Sequence, residues 1–401
     1  MGRRNLKQTL LLSATSIVLL GGCAEGERFK QETDAIPPEK PIFLWSEPLN
    51  GGARIYYSLP TDDDVLGIEA SYTTEAGKVY SFLAYYTQDA VDVYGFGTVG
   101  KHPVSLRTID RAGNKSETIV QTVDGDSSVI DYVKETMALR PSFEAFFVQW
   151  KNILQKQTHV SANFSYTENG SACERSVVFT SRTPEENQVI KGLPVTPETP
   201  VKASMQVEDV YGNSASMDFG TINLLSDRIL PKENWKLLPA DTIMGGYRQA
   251  NGSQDDGQMY EVIDDKNDSE GLKNCYVTRA SVPWNIIIDL GAEYELSRIV
   301  MHQRYTYDGS VRGAYYRADN VRSFNLYIWN EKTAAWLPVL TGAKVETPSI
   351  ARMDEDYVKW GNAGDMFYIY PNNPGYTPRT RYVCYMALSG KYISEITLYG
   401  K

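Results

Sequence analysis

Three groups of aromatic and cationic side chains in the C-terminal part of the chain have the types and spacing to do chemistry. The first is His302-Gln303-Arg304-Tyr305-Thr306-Tyr307, followed closely by Tyr315-Tyr316-Arg317. The second is Trp360, Tyr376 and Arg379, and the third is Tyr247-Arg248. All fall in segments read as loops. A flat aromatic face covers the apolar C–H face of a pyranose, while Arg and His form directed hydrogen bonds to its hydroxyls. These residue types in loops therefore point to binding of a polysaccharide or oligosaccharide. A structural alternative stands beside each: Tyr305, Tyr315 and Tyr316 packing the loop onto the domain, and His302 as a satisfied internal histidine. Trp284, Trp329 and Trp336 lie in or beside predicted strands and are read as core.

A second chemistry-bearing stretch is Val262-Ile263-Asp264-Asp265-Lys266-Asn267-Asp268-Ser269. Asp264 and Asp268 place hard oxygen donors on one loop, which is calcium chemistry. It is not an EF-hand, because Lys266 occupies the third position and the Gly and closing Glu are misplaced. Catalytic machinery is harder to find. The three histidines, His102, His159 and His302, form no zinc motif, and the chain has no Gly-x-Ser-x-Gly elbow, Walker loop or dinucleotide loop. Glycoside hydrolysis needs only two carboxylates, but the acidic run Asp354-Glu355-Asp356 reads as a solvated loop. The expectation is a binding protein and not an enzyme.

Strands must position these groups. In the N-terminal part, strands are predicted over 54–59, 66–73, 78–86 and 91–95, with turn signals at Asn50-Gly51-Gly52, Thr61-Asp62-Asp63-Asp64 and Ala76-Gly77; short strands at this spacing predict a sandwich. Asp110-Arg111-Ala112-Gly113-Asn114 recurs as Asp209-Val210-Tyr211-Gly212-Asn213, a displacement close to the ~100 residues of one immunoglobulin-like sandwich. Each copy lies between two predicted strands, where Asx and Gly suit a tight connection. Two tandem sandwiches follow, over 42–125 and 126–230. A β-branched run, Asn285-Ile286-Ile287-Ile288-Asp289-Leu290, bounded by Pro283 and Gly291, predicts a strand covered on both faces in a third domain, 231–401.

The other end bears on location. Arg3, Arg4 and Lys7 precede an apolar run from Leu10 to Leu20, then Gly21-Gly22-Cys23; this reads as a cleavable export signal over 1–22, too short to span a bilayer. Residues 23–41 are acidic and proline-bearing with no apolar period, which suits a tether. The chain has 50 acidic against 40 basic residues. That balance argues against nucleic acid, whose phosphates attract a basic footprint, and favours neutral or cationic ligands. Cys275 and Cys384 are the only cysteine pair within one predicted domain, and free buried thiols are the expected state.

Residues 235–401 resemble a discoidin domain, the type C module of coagulation factors five and eight. The likeness rests on the order and spacing of Pro283-Trp284-Asn285-Ile286-Ile287-Ile288-Asp289-Leu290-Gly291, Leu296-Ser297-Arg298-Ile299-Val300, Phe324-Asn325-Leu326-Tyr327, Trp336, Arg381-Tyr382-Val383 and Ser394-Glu395-Ile396-Thr397-Leu398-Tyr399-Gly400. It implies a jelly-roll β-sandwich, carbohydrate binding through loops at one end with His302 and Arg304 among the contacts, and a structural calcium shared between Asp264, Asp268 and Glu395. Asn50-Gly51-Gly52-Ala53-Arg54-Ile55 with Ser58-Leu59-Pro60 resembles the fibronectin-type domains at the front of lipoproteins from starch-utilisation-like polysaccharide loci, where two such domains precede a discoidin-like one. Cys23 resembles the lipidated cysteine of bacterial lipoproteins. The resemblance implies an all-β chain anchored in the outer membrane, facing the exterior, beside a transporter and a glycan-capturing lipoprotein of the same locus. The alternative is a protein-interaction adhesin or scaffold of that complex.

Overall fold

The computed structural model describes residues 35–252, 259–266, 275–305, 315–316, 319–347 and 354–401. Of the predicted site residues, Cys23, Asp268, Tyr307 and Arg317 lie outside them, as does the export signal over 1–22. The described chain is almost entirely antiparallel sheet and forms three β-sandwiches in series.

In the first sandwich, Ile42–Leu49, Gly52–Ser58 and Ala90–Tyr94 make one sheet. The other runs in the order Val79–Tyr85, Val65–Thr73, Gly100–Asp110, Ile119–Gly125. Strict alternation explains the layering. Ala53, Ile55 and Tyr57 face inward to meet Ile68, Ala70, Tyr72, Val91 and Val93, while Arg54 and Tyr56 face outward. The strands predicted over 54–59, 66–73, 78–86 and 91–95 match four of these within two residues at each end, whereas Gly100–Asp110 begins earlier than the predicted Val104 and Ile42–Leu49 was not anticipated.

The second sandwich pairs the order Ser171–Ser181, Thr158–Glu168, Val201–Asp209, Ser214–Ile222 with Glu185–Lys191, Ala145–Lys151, Ala138–Pro141. Phe146, Val148 and Trp150 fill its core against Val160, Ala162, Phe164 and Met205. It is entered through a helix, Val129–Thr136, which the sequence reading did not anticipate. Ser128 caps it: its hydroxyl accepts from the Asp131 amide, and the Asp131 carboxylate accepts from the Ser128 amide. Val129, Ile130 and Val133 turn into the same core.

The sequence repeat is a structural repeat. In both copies the aspartate accepts from the main chain and side chain of the asparagine four residues on: Asn114 to Asp110 at 2.7 and 2.8 Å, and Asn213 to Asp209 at 2.9 and 2.9 Å. Gly113 and Gly212 take φ of +92° and +83°, which the turn requires. The second copy also joins the first two sandwiches. Tyr80 Oη donates to the Tyr211 carbonyl at 3.1 Å, Asn213 Nδ2 to the Gly95 carbonyl at 3.0 Å, and Ser128 Oγ to the Gly97 carbonyl at 2.9 Å.

The third sandwich sets Lys236–Leu237, Trp284–Tyr294, Thr380–Ala387, Ser323–Asn330, Ala335–Lys344 against Arg228–Ile229, Glu395–Gly400, Leu296–His302, Asp365–Tyr368. Ile286, Ile288 and Leu290 pack with Leu296, Ile299, Phe324, Tyr385 and Leu398. Cys275 and Cys384 are buried and form no disulfide with each other. Asp354-Glu355-Asp356, expected as a loop, opens the helix Asp354–Ala363. This sandwich is fastened to the second. Tyr368 Oη donates to the Phe143 carbonyl at 3.1 Å, Tyr376 Oη to the Ser226 carbonyl, and Arg140 Nη1 to Asn373 Oδ1 at 2.7 Å. Arg298 reaches Asp227 at 2.7 Å and Glu144 at 3.2 Å.

Candidate functional site

The predicted binding residues separate to opposite ends of the third sandwich. The strand Leu296–His302 measures the distance between them, about 20 Å at ~3.4 Å per residue. At the Leu296 end, which faces the second sandwich, sit Tyr376 and Arg379. At the His302 end, here called the crown, sit His302, Arg304, Tyr305, Tyr315, Tyr316 and Trp360.

Most of the crown residues are anchors. His302 is buried beneath the helix Asp354–Ala363 with its Nε2 against Gly364, and it bonds to the backbone of Asn362. Burial lowers its pKa to about 4, so the ring is neutral at physiological pH. Arg304 is buried too. Its guanidinium lies 3.7 Å from the centroid of Tyr392, and Nη2 is 3.1 Å from Asp319 Oδ2. Tyr315 is buried, packs against Gly361 and donates to Asn362 Oδ1 at 2.7 Å. Tyr316 is buried as well. His302, Arg304, Tyr315 and Tyr316, expected to meet sugar directly, are thus buried, and the first three have internal partners that fix one end of the sandwich. Tyr305 and Trp360 remain half-buried. Tyr305 leans on Tyr315 with centroids 5.0 Å apart, and Trp360 precedes the Gly361 that Tyr315 packs on.

Under the crown lies a buried polar layer. Asn320 Nδ2 donates to the carbonyls of Tyr315 at 2.7 Å and Arg304 at 3.0 Å, and Gln303 Nε2 to Asp365 Oδ2 at 3.2 Å. Burial raises Asp365 to about 6 against the lowering effect of Gln303 and Arg322. Such a layer holds the crown loops to one register.

The other predicted contacts belong elsewhere. Tyr376 is a joint residue, edge-on to Phe143 at 5.2 Å with Lys401 Nζ 3.7 Å from its ring. Arg379 is exposed and borders a 320 Å³ groove with Trp329, Leu337 and Glu293. Tyr247 stacks near-parallel to Trp336 at 6.1 Å and meets Tyr327 edge-on at 5.2 Å; burial pushes its hydroxyl up to about 12. Arg248 is exposed and pairs with Asp241 at 3.3 Å. Trp284 and Trp329 are buried as expected, and Trp336 is half-buried with Nε1 donating to the Met244 carbonyl at 2.8 Å.

The calcium expectation meets a specific obstacle. Glu395 is almost wholly buried, and its carboxyl group lies against the ammonium of Lys232, itself 4% exposed. The same ammonium contacts Asp265 Oδ1 at 2.8 Å and Thr397 Oγ1 at 3.2 Å. Asp264 pairs instead with Lys266 at 3.5 Å. Of the expected ligands, Glu395 thus already has the ammonium of Lys232 beside it and Asp264 has Lys266, while Asp268 lies outside the described residues. Among the described residues no group of three or more His, Cys, Asp or Glu is placed to hold a metal. Millimolar calcium followed by chelator should therefore leave the melting temperature unchanged in differential scanning fluorimetry; a rise of several degrees would show that the loop recruits the ion. Sequence reading missed Lys232 because it lies 163 residues from Glu395.

Residues 38–125 match a family model described as "Domain of unknown function (DUF4959)". No curated protein matches the chain. Among solved structures, a SusE-like protein is similar over 67% of this chain and 98% of its own, at 16% identity and a TM-score of 0.41. An F5/8 type C domain from Bacteroides fragilis is similar over 44% of this chain and 97% of its own, at 14% identity and a TM-score of 0.29. The C-terminal domain of a Bacteroides fragilis chitobiase is similar over 43% and 98%, at 13% identity and a TM-score of 0.26.

Proposed function

We propose that this chain is a polysaccharide-binding protein whose third sandwich captures glycan at its crown. The observation that carries the reading is the pair of half-buried aromatic side chains at the crown: Tyr305, which leans on the buried Tyr315, and Trp360, one residue before the Gly361 that Tyr315 packs on, with the Arg304–Tyr392–Asp319 cluster fixing the same end. Aromatic faces fixed before the ligand arrives lose little entropy on binding, which is what weak, repeated sugar contacts require. The arrangement calls for no reacting group: the role is capture, not bond cleavage. Acting from a lipidated Cys23 at the outer face of the outer membrane, the chain would pass glycan to a transporter and a glycan-binding lipoprotein of the same locus, with many tethered copies raising avidity. Among the described residues no helix is long and apolar enough to cross a membrane.

Native gels cast with plant, fungal and host polysaccharides test the reading on the chain from residue 24 onward. Retardation by one polymer class is expected, with Tyr305→Ala and Trp360→Ala each weakening it about tenfold, the loss of ~1.4 kcal/mol that one stacking contact supplies. Unretarded migration in every polymer would favour the protein-scaffold reading instead.

A further inference from the structure

The outer face of the first sandwich carries a feature that the crown does not explain. Strand register sets Trp45 opposite Tyr56, and Tyr56 opposite Ala90, in one row across three strands. The first two rings stack, with centroids 3.8 Å apart and planes 11° from parallel. The third place in the row holds only a methyl group. Neighbouring strands lie about 4.8 Å apart, so the space above Ala90 is one ring wide and continues the stack.

That space is a groove of 550 Å³, with Tyr56 as one wall, Ala90 on its floor, and Phe82 and Leu83 of the adjoining sheet edge among its other lining residues. Trp45 backs Tyr56 and is itself 47% exposed, so a tryptophan is spent on the surface to hold a tyrosine upright. The next row supplies polar groups. Arg54 grips Asp92 through two bonds of 2.7 and 2.9 Å, and Tyr56 Oη donates to Glu47 Oε2 at 3.4 Å. In such a pair Arg54 keeps N–H donors, and the Asp92 carboxylate keeps lone pairs, for sugar hydroxyls.

We propose that the first sandwich holds its own glycan subsite, where a neutral pyranose stacks on Tyr56 above Ala90 and bonds Arg54 and Asp92 through its hydroxyls. Charge selects the neutral class. Around Arg54 stand Glu47, Asp89 and Asp92, an excess of carboxylates that repels a uronic acid. The proposal takes its ligand class from the glycan-binding reading, but it places the contact at the opposite end of the chain from the crown.

Three variants of the otherwise complete chain separate the two sites: Ala90→Trp, which fills the groove with an outward side chain; Tyr56→Ala, which removes its wall; and the crown pair Tyr305→Ala with Trp360→Ala. The probes are cello-, manno- and xylo-oligosaccharides and oligogalacturonate, measured by saturation-transfer NMR and by retardation in gels of the corresponding polymers. Ala90→Trp and Tyr56→Ala should each weaken retention by one neutral polymer at least tenfold. Residual binding in the crown double variant should disappear when Ala90→Trp is added. Wild-type retention in both groove variants, with loss only in the crown variant, would overturn the proposal and leave the crown reading intact. Preference for oligogalacturonate, or a dimer in sedimentation that buries Trp45, would overturn it too. Failure of the wild type to bind any probe would end both readings.

Discussion

Replacing Lys232 by methionine should destabilise the third sandwich by about 3–5 kcal/mol in alkaline buffer, the cost of stranding a buried charge, and by much less in mild acid. The pH dependence follows from Glu395. Burial raises its carboxyl to about 8, with Asp264 and Asp265 adding to the rise and Lys232 opposing it. Unfolded, the same carboxyl titrates near 4.3. Between those values the folded chain holds the extra proton, so this group favours folding most at the acidic side and its contribution falls as pH climbs towards 8. Without the ammonium, Glu395 keeps its proton higher still, and the variant is penalised where that proton must leave. Urea midpoints of wild type and Lys232→Met at pH 6 and pH 9 measure this. An equal loss at both would show that the methionine disturbs packing and not charge.

The second large effect is expected at the joint of the second and third sandwiches. Asp227 is buried and accepts from Ser297 Oγ at 2.6 Å and from Arg298 Nε and Nη2 at 2.8 and 2.7 Å. The Arg298 side chain is equally buried, lies 4.3 Å from the Tyr399 ring centroid, and among the described residues has the exposed Glu144 as its further carboxylate partner. Asp227→Ala therefore leaves a guanidinium without its main counter-ion inside the protein, a loss of about 3–5 kcal/mol. Because Asp227 sits in the connection and Arg298 in a core strand, two consequences should appear together: a lower melting temperature for the third sandwich, and a calorimetric endotherm split into separate transitions. A single transition at the wild-type temperature would mean that the contacts of Tyr368, Tyr376 and Arg140 hold the joint without Asp227.

What could be read from the sequence divides along physical lines. The first-sandwich strands were legible because Ala53, Ile55 and Tyr57 alternate with outward residues, and alternation depends on nothing distant. The Asp110 and Asp209 turns were legible because Asx–Gly chemistry is local. The helix Val129–Thr136 had a local signal as well, Ser128 followed by Asp131 at capping distance, which a reading fixed on strands passed over. The site was different. His, Arg and Tyr in a loop look alike whether they await a ligand or have a partner inside. Asn362, Tyr392 and Asp319 are the internal partners of His302, Tyr315 and Arg304, and only the folded chain brings them close. The row Trp45, Tyr56, Ala90 was equally hidden, since its third member joins through sheet order and not through sequence.

The joints between the sandwiches share one trait. Tyr80, Asn213 and Ser128 at the first, and Tyr368 and Tyr376 at the second, all donate to main-chain carbonyls. A carbonyl is present whatever side chain the residue carries. Mutational drift at an exposed accepting position such as Ser226 therefore leaves the hydrogen bond available, whereas a Cβ at Gly97 would press on Asn213; for the bonds themselves the side-chain requirement falls on the donors. These bonds thus tolerate change at the accepting residue better than at the donor, whereas the Arg298–Asp227 and Arg140–Asn373 contacts of the second joint depend on the side chains of both partners.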